Sequence, residues 1–269
     1  PYRRQRQMCI RDSVTIAEDW GGDEADQDGE VTLNIPEEHF FPWSPDSPFL
    51  YDLTVGTTQG DEDGFDTVHS YFALRKWSCE PDAKGILRFC LNGKPILLNG
   101  LLDQGYWPEG LYTPPSDAAV VHELEQVKEL GFNLLRKHAK IEPQRWYYHC
   151  DKLGLIVWQD MVNGGGKMNQ WYVTYLTNAL LPLLRHTPDA KPLWGLLGRE
   201  TEASRESYQT ELKATVEALR CHPCIGCWVL FNEGWGQFDA RAATAALRAL
   251  DDTCLLYTSP SPRDMRRSR

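Results

Sequence analysis

Long apolar runs are missing from this 269-residue chain, and none is long enough to span a bilayer. Basic residues are in deficit: 28 Lys and Arg stand against 38 Asp and Glu, for a net charge of −10. That balance argues against nucleic acid and membrane surfaces as partners and fits a protein acting on neutral or small ligands. No internal repeat and no secretory leader is visible. The eight cysteines lack the even patterning of a disulfide framework, which favours a reducing compartment. Cys221, Cys224 and Cys227 form a C-x2-C-x2-C run beside His222, but no second Cys/His pair completes four ligands at the usual spacing. The run also enters an apolar strand, where alternate side chains part to opposite faces. No metal and no other cofactor is expected. Gly164-Gly165-Gly166 lacks the strand–GxGxxG–helix setting of a phosphate cradle.

What is present suffices for a sizeable core, with 42% hydrophobic and 11% aromatic residues. The two ends oppose the acidic body. Residues 1–13 carry Arg3, Arg4, Arg6 and Arg11 against Asp12, and residues 254–269 carry Arg263, Arg266, Arg267 and Arg269 against Asp264. Both read as translated adapter-like sequence and are set aside from fold reasoning. On that reading the chain is an internal piece of a longer protein.

Residues 14–83 have strand character. Val31 to Ile35, Phe49 to Val55 and Phe65 to Arg75 alternate, with Pro36, Pro42, Pro45 and Pro48 and the acidic turn 60–64 between them. Such spacing suggests the end of a β-sandwich. A boundary turn at 80–85 leads into residues 84–253, where the pattern changes. Asn92-Gly93 marks a hairpin. Ser116 caps a helix through Gly131 with Val120, Val121, Leu124, Val127 and Leu130 on one face. Strands over Asn133–His138, Leu155–Asp160 and Ile225–Phe231 then alternate with helices over 146–153, 172–184, 204–220 and 238–250. Alternation of this kind predicts βαβ units on a parallel sheet.

The most informative residues are Phe231-Asn232-Glu233-Gly234-Trp235, directly after the apolar run 224–230. A glutamate at the carboxyl end of a barrel strand stands where such folds place chemistry. Glu233 beside the amide of Asn232, walled by Trp228 and Trp235, suits acid/base work on a sugar. Arg136, His138, Asp160 and Asp103 fall at the ends of other strands, where each is read either as a substrate contact or as a structural ion-pair partner. Tyr106 to Gly110 is read as a rim above the site.

An ordered series of segments resembles the glycoside hydrolase family 2 group, which includes the β-galactosidases and β-glucuronidases. Trp43-Ser44-Pro45, Asp66-Thr67-Val68 and Phe72-Ala73-Leu74-Arg75 resemble its immunoglobulin-like domain. Leu91-Asn92-Gly93-Lys94-Pro95, Gly131-Phe132-Asn133 with Arg136 and His138, Cys150–Leu155 with Trp158, and His222-Pro223 with Trp228 and Asn232-Glu233 resemble the first half of its catalytic barrel. The resemblance implies an immunoglobulin-like β-sandwich remnant followed by the first half of a (β/α)8 TIM barrel, with four barrel strands before the tail. It implies a retaining β-glycosidase acting on a carbohydrate, with Glu233 as acid/base, and Asn232, His138, Arg136, Asp160, Asp103, Trp235 and Trp158 as substrate-binding residues. Asn232 matches the amide that contacts the 2-hydroxyl. The nucleophile, a glutamate on a later strand, is expected outside this chain. A carbohydrate-binding protein using the same cleft without hydrolysis is the alternative.

Overall fold

The structure, a computed structural model, describes residues 33–58, 65–172, 189–232 and 236–257. The chain divides into two units, Pro1–Phe41 and Pro42–Arg269. In the first, Glu37–His39 forms a single 3-10 turn, and the described part of the expected Val31–Ile35 strand is irregular. Pro36 just before the turn offers no amide to a strand partner.

The second unit holds three sheets. β1 (Tyr51–Thr58) and β2 (Phe65–Phe72) form an antiparallel pair. β3 (Trp77–Pro81), β4 (Leu87–Leu91) and β5 (Lys94–Pro95) form an antiparallel meander. The turn into β5 is the expected Asn92-Gly93, and both residues take positive φ, 53° and 73°. The boundary read at residues 83/84 falls inside the β3–β4 hairpin, because Asp82 accepts the amides of Lys84 and Ile86 and closes that turn. The described residues of 42–95 form two small antiparallel sheets, and the expected immunoglobulin-like remnant is seen only to that extent.

The main sheet is parallel, in the order β10-β9-β8-β7-β6. Its strands are β6 (Gly100–Asp103), β7 (Leu134–Lys137), β8 (Ile156–Asp160), β9 (Ile225–Val229) and β10 (Leu255–Tyr257). β7, β8 and β9 fall on the strands read from the sequence, and β6, for which no range was expected, precedes them with Asp103 at its end. The fifth comes from the tail that was set aside, where Leu255, Leu256 and Tyr257 pair with Cys227, Trp228 and Val229.

Helices connect these strands. α1 (Asp117–Glu129) is capped by Ser116, whose Oγ accepts the Ala119 amide. It buries Val120, Leu124 and Val127, whereas Leu130, expected on that face, is its exposed C-cap. α2 (Gln144–Leu153) ends at Gly154 in the left-handed region, where a Cβ would stand 2.6 Å from the Pro45 carbonyl. A short turn, α3 (Lys191–Trp194), precedes α4 (Glu202–Leu219), capped by Thr201, and α5 (Ala240–Leu250), capped by Asp239. α1 packs on α2 and α4 on α5. The helix expected over 172–184 lies outside the described residues apart from its first position. Among the described residues no helix is long and apolar enough to cross a membrane.

One buried polar cluster joins the antiparallel part to the parallel sheet. Asp151 is fully buried, and its carboxylate accepts from Tyr71 Oη (2.7 Å) and the Cys224 amide (2.8 Å) and contacts His222 Nδ1 at 2.7 Å. Arg75 reaches the carbonyls of Pro223, Ile225 and Thr253. These bonds satisfy polar groups that packing would otherwise strand.

Candidate functional site

The register of the parallel strands sorts the site residues by face. Leu102, Arg136, Trp158 and Cys227 stand in one row, and Asp103, Lys137, Gln159 and Trp228 in the next. Successive rows point to opposite faces. Lys137 lies 4.3 Å from the ring centre of Trp146 in α2, so its row faces the helices. Arg136, Trp158 and Asp160 therefore share the other face.

On that face Arg136 forms a fork on Asp160, Nε to Oδ1 at 2.9 Å and Nη2 to Oδ2 at 2.8 Å. Nη2 also donates to Asn232 Oδ1 at 2.9 Å. One guanidinium thus ties the ends of β7 and β8 to the exit of β9, in the planar geometry that makes Arg hard to replace by Lys. Burial pushes the Asp160 carboxyl up, and the hydrogen bonds and charge of Arg136, with His138 nearby, pull against it. His138 follows β7 and its amide donates to the Asp103 carbonyl. Ala139 next to it has a φ of 50°, an uncommon value for a residue with a Cβ, and hydrogen-bonds Asp160 through its backbone. Trp158 meets the edge of Phe89 at 6.2 Å between ring centres.

Asp103 is on the helix-facing row and is engaged on both oxygens. Oδ1 accepts the Gly105 amide at 2.7 Å, and Oδ2 pairs at 2.6 Å with Lys137, which is 1% exposed. Lys137 also meets Glu142 at 2.9 Å, and Glu142 meets Lys140, whose ammonium donates to the carbonyls of Gly105 and Tyr112. This charge cluster holds the loop after β6, with Tyr106 and Tyr112 joined through their hydroxyls at 2.7 Å. The sequence reading missed Lys137 and Glu142. A Lys at the end of an apolar strand with a Glu five positions on was the available signal.

Trp228 corrects an expectation. It is fully buried, with its indole nitrogen on Asp251 Oδ2 at 2.7 Å, so it belongs to the packing between β9 and α5 and is no wall of a cleft. The strand's alternation turns it away from the face that carries Arg136. Glu233 and Trp235 lie outside the described residues. The flanks of that segment are held on both sides: Tyr208 Oη donates to the Leu230 carbonyl, and Gly236 bonds Leu197 O through its amide and Arg199 Nε through its carbonyl. Gln159, also missed, accepts from Tyr147 Oη at 2.6 Å and braces the carbonyls of Lys140 and Asp160.

Cys221 is exposed, whereas Cys224 and Cys227 are buried. Among the described residues no three His, Cys, Asp or Glu side chains converge as a metal site.

Comparison with known proteins agrees with this architecture. Residues 85–262 match the model of the glycosyl hydrolases family 2, TIM barrel domain. The chain is 28% identical over 214 residues to a β-galactosidase of Leuconostoc mesenteroides, covering 78% of the chain and 17% of that protein. A β-galactosidase of Lactococcus lactis is 27% identical over 221 residues, covering 82% of the chain and 18% of its own length. The chain therefore spans less than a fifth of these relatives. Among solved structures, the β-glucuronidase of Parabacteroides merdae superposes with a TM-score of 0.61 at 19% identity, over 84% of this chain and 25% of that one. At that identity the likeness speaks for the fold.

Proposed function

The chain belongs to glycosyl hydrolase family 2, and from that premise we propose that it supplies the acid/base half of a retaining β-glycosidase acting on terminal β-linked sugars. The observation that carries the proposal is the Arg136–Asp160–Asn232 network, which gathers three strand ends and stops one residue short of Glu233.

Glu233 is assigned as the acid that protonates the leaving oxygen and then, as a base, activates water. Asn232 has its Oδ1 taken by Arg136, so the donor it offers is Nδ2, as a contact to a sugar 2-hydroxyl requires. Asp160 and His138 are assigned to sugar hydroxyls. Trp158 and Trp235 are assigned as flat faces for the ring. Asp103 stands on the helix-facing row, opposite Asp160, and is assigned to bracing the β6 loop through Gly105 and Lys137. In a retaining enzyme the nucleophile stands about 5–5.5 Å from the acid, and we place it on a later strand, outside this chain. The five parallel strands are then part of an eight-stranded barrel, and residues 42–75 the remnant of an immunoglobulin-like domain.

The test is the stereochemistry of an aryl β-glycoside hydrolysed by the full-length protein and followed by proton NMR. The β-anomer is expected to appear first and then mutarotate. An α-anomer as first product, or no turnover across a panel of sugars, contradicts the proposal.

A further inference from the structure

Arg199 is an arginine out of place. It is 3% exposed, yet among the described residues no carboxylate pairs with it. Its Nε donates to Gly236 O at 3.1 Å and its Nη1 to Ser204 O at 2.8 Å and Ser204 Oγ at 3.2 Å. The guanidinium lies 4.8 Å from the ring centre of Tyr208 and 5.6 Å from that of Phe238. Nη2 has no partner among the described residues. Buried charges are ordinarily paired or bound to a ligand, because an uncompensated one costs several kcal/mol.

Arg199 borders a cleft of about 400 Å³, a size suited to a small ligand. Three features of the lining favour an anion. Lys167 brings a second, exposed cation. Thr201 is the N-cap of the 18-residue α4, whose amino end favours negative charge. The Gly164–Gly166 loop offers backbone without side chains. A Cβ on Gly164 would meet open space, while one on Gly165 would stand 2.8 Å from Gly198 O and 3.6 Å from Arg199 Nε. Just before that loop, Asn163 has both amide atoms buried without a partner among the described residues.

Glu200 and Glu211 also line the cleft. They disfavour a bare anion but can accept hydrogen bonds from hydroxyls. A lining of both signs therefore selects an anionic group carried on a polyol. The cleft is not a product of an open sheet edge: its lining comes from the connection between β8 and β9, two strands each paired on both sides.

We propose that this cleft binds a saccharide bearing an oxyanion, a uronate carboxylate or a sulfate ester, through Arg199 and Lys167. The site rests on the glycosidase reading only in taking that saccharide as part of the substrate; binding needs no turnover.

The test is calorimetric titration of the full chain with sodium glucuronate, galactose 6-sulfate and neutral galactose. At least one acidic sugar is expected to bind ten-fold or more tighter than galactose, and the tighter of the two identifies the anion. Arg199→Gln is expected to weaken that binding at least ten-fold and Lys167→Ala several-fold, while Glu211→Gln leaves it unchanged or tightens it. If circular dichroism shows that Arg199→Gln does not fold, the exposed Lys167 and Glu211 variants decide. Equal or absent binding of acidic and neutral sugars overturns the proposal, as does acidic-sugar binding that ignores these substitutions. Tight acidic-sugar binding with no turnover by the full-length protein would leave this site standing and sink the glycosidase reading. Turnover of neutral glycosides with no acidic preference would do the reverse.

Discussion

Arg136 makes three of the hydrogen bonds that define the site, two to Asp160 and one to Asn232, from a position only partly shielded from solvent. A lysine placed there keeps the charge but loses the fork, so it cannot hold both partners at once. Arg136→Lys in the full-length protein is expected to lower kcat about 10–100-fold, a misplacement effect of the size that small shifts of positioned groups produce. KM is expected to change less. Steady-state kinetics on an aryl β-glycoside checks this, and an unchanged kcat would remove Arg136 from the site. At this scale the sequence was legible where a residue's position along the strand decided its neighbours. Arg136, Asp160 and Asn232 were all identified, and they come together. Trp228 was misread because strand-end position does not reveal which face a side chain takes, while Asp103, open to either a substrate contact or an ion pair, makes an ion pair with Lys137. One residue of register moves a side chain from the cleft to the helix layer, and that register depends on partners far away in sequence.

Among the elements, β9 shows how closely the frame is packed. Its register against β8 shifts between Val157 and Trp158, and the residue that absorbs the shift is Gly226. A Cβ there would lie 2.8 Å from the Trp77 ring and 2.9 Å from Ile156. The indole of the β3 hairpin thus rests directly on the backbone of the strand that leads to Asn232. Gly226→Ala is expected to cost about 1–3 kcal/mol, the usual range for overpacking a filled core. Urea denaturation of the full chain measures it, and a loss under about 0.5 kcal/mol would mean that Trp77 yields freely. The element types were legible from period and caps: Ser116, Gly154 and Asn92-Gly93 each mark a boundary that the structure keeps. β3 was not legible, because Glu80-Pro81 reads as a turn while Pro81 in fact ends an edge strand, where its missing amide costs no ladder bond. β10 falls in the tail read as adapter-like sequence, and its three residues Leu255, Leu256 and Tyr257 pair with the edge of β9.

On the scale of the whole molecule, the net negative charge, the parallel sheet and the cluster of polar strand ends are what the proposed function rests on. β6 and β10 end the parallel sheet among the described residues, and edge strands of a parallel sheet are ordinarily covered or continued. The order of segments in the sequence foretold this organisation better than any single motif, because each motif alone recurs by chance. Arg199 stayed invisible at that level: nothing in its neighbours Gly198 and Glu200 signals a buried cation, and only the fold sets it between Tyr208 and Phe238. The glutamate after Asn232 carries the proposed chemistry. The most direct measurement is the rate of hydrolysis by full-length Glu233→Gln across aryl β-glycosides of rising leaving-group pKa. A general acid at that position requires a loss of roughly 10²–10⁴-fold for poor leaving groups, which need the proton, and little loss for activated ones. An equal loss across the series, or none, would contradict the assignment and with it the catalytic reading of the site.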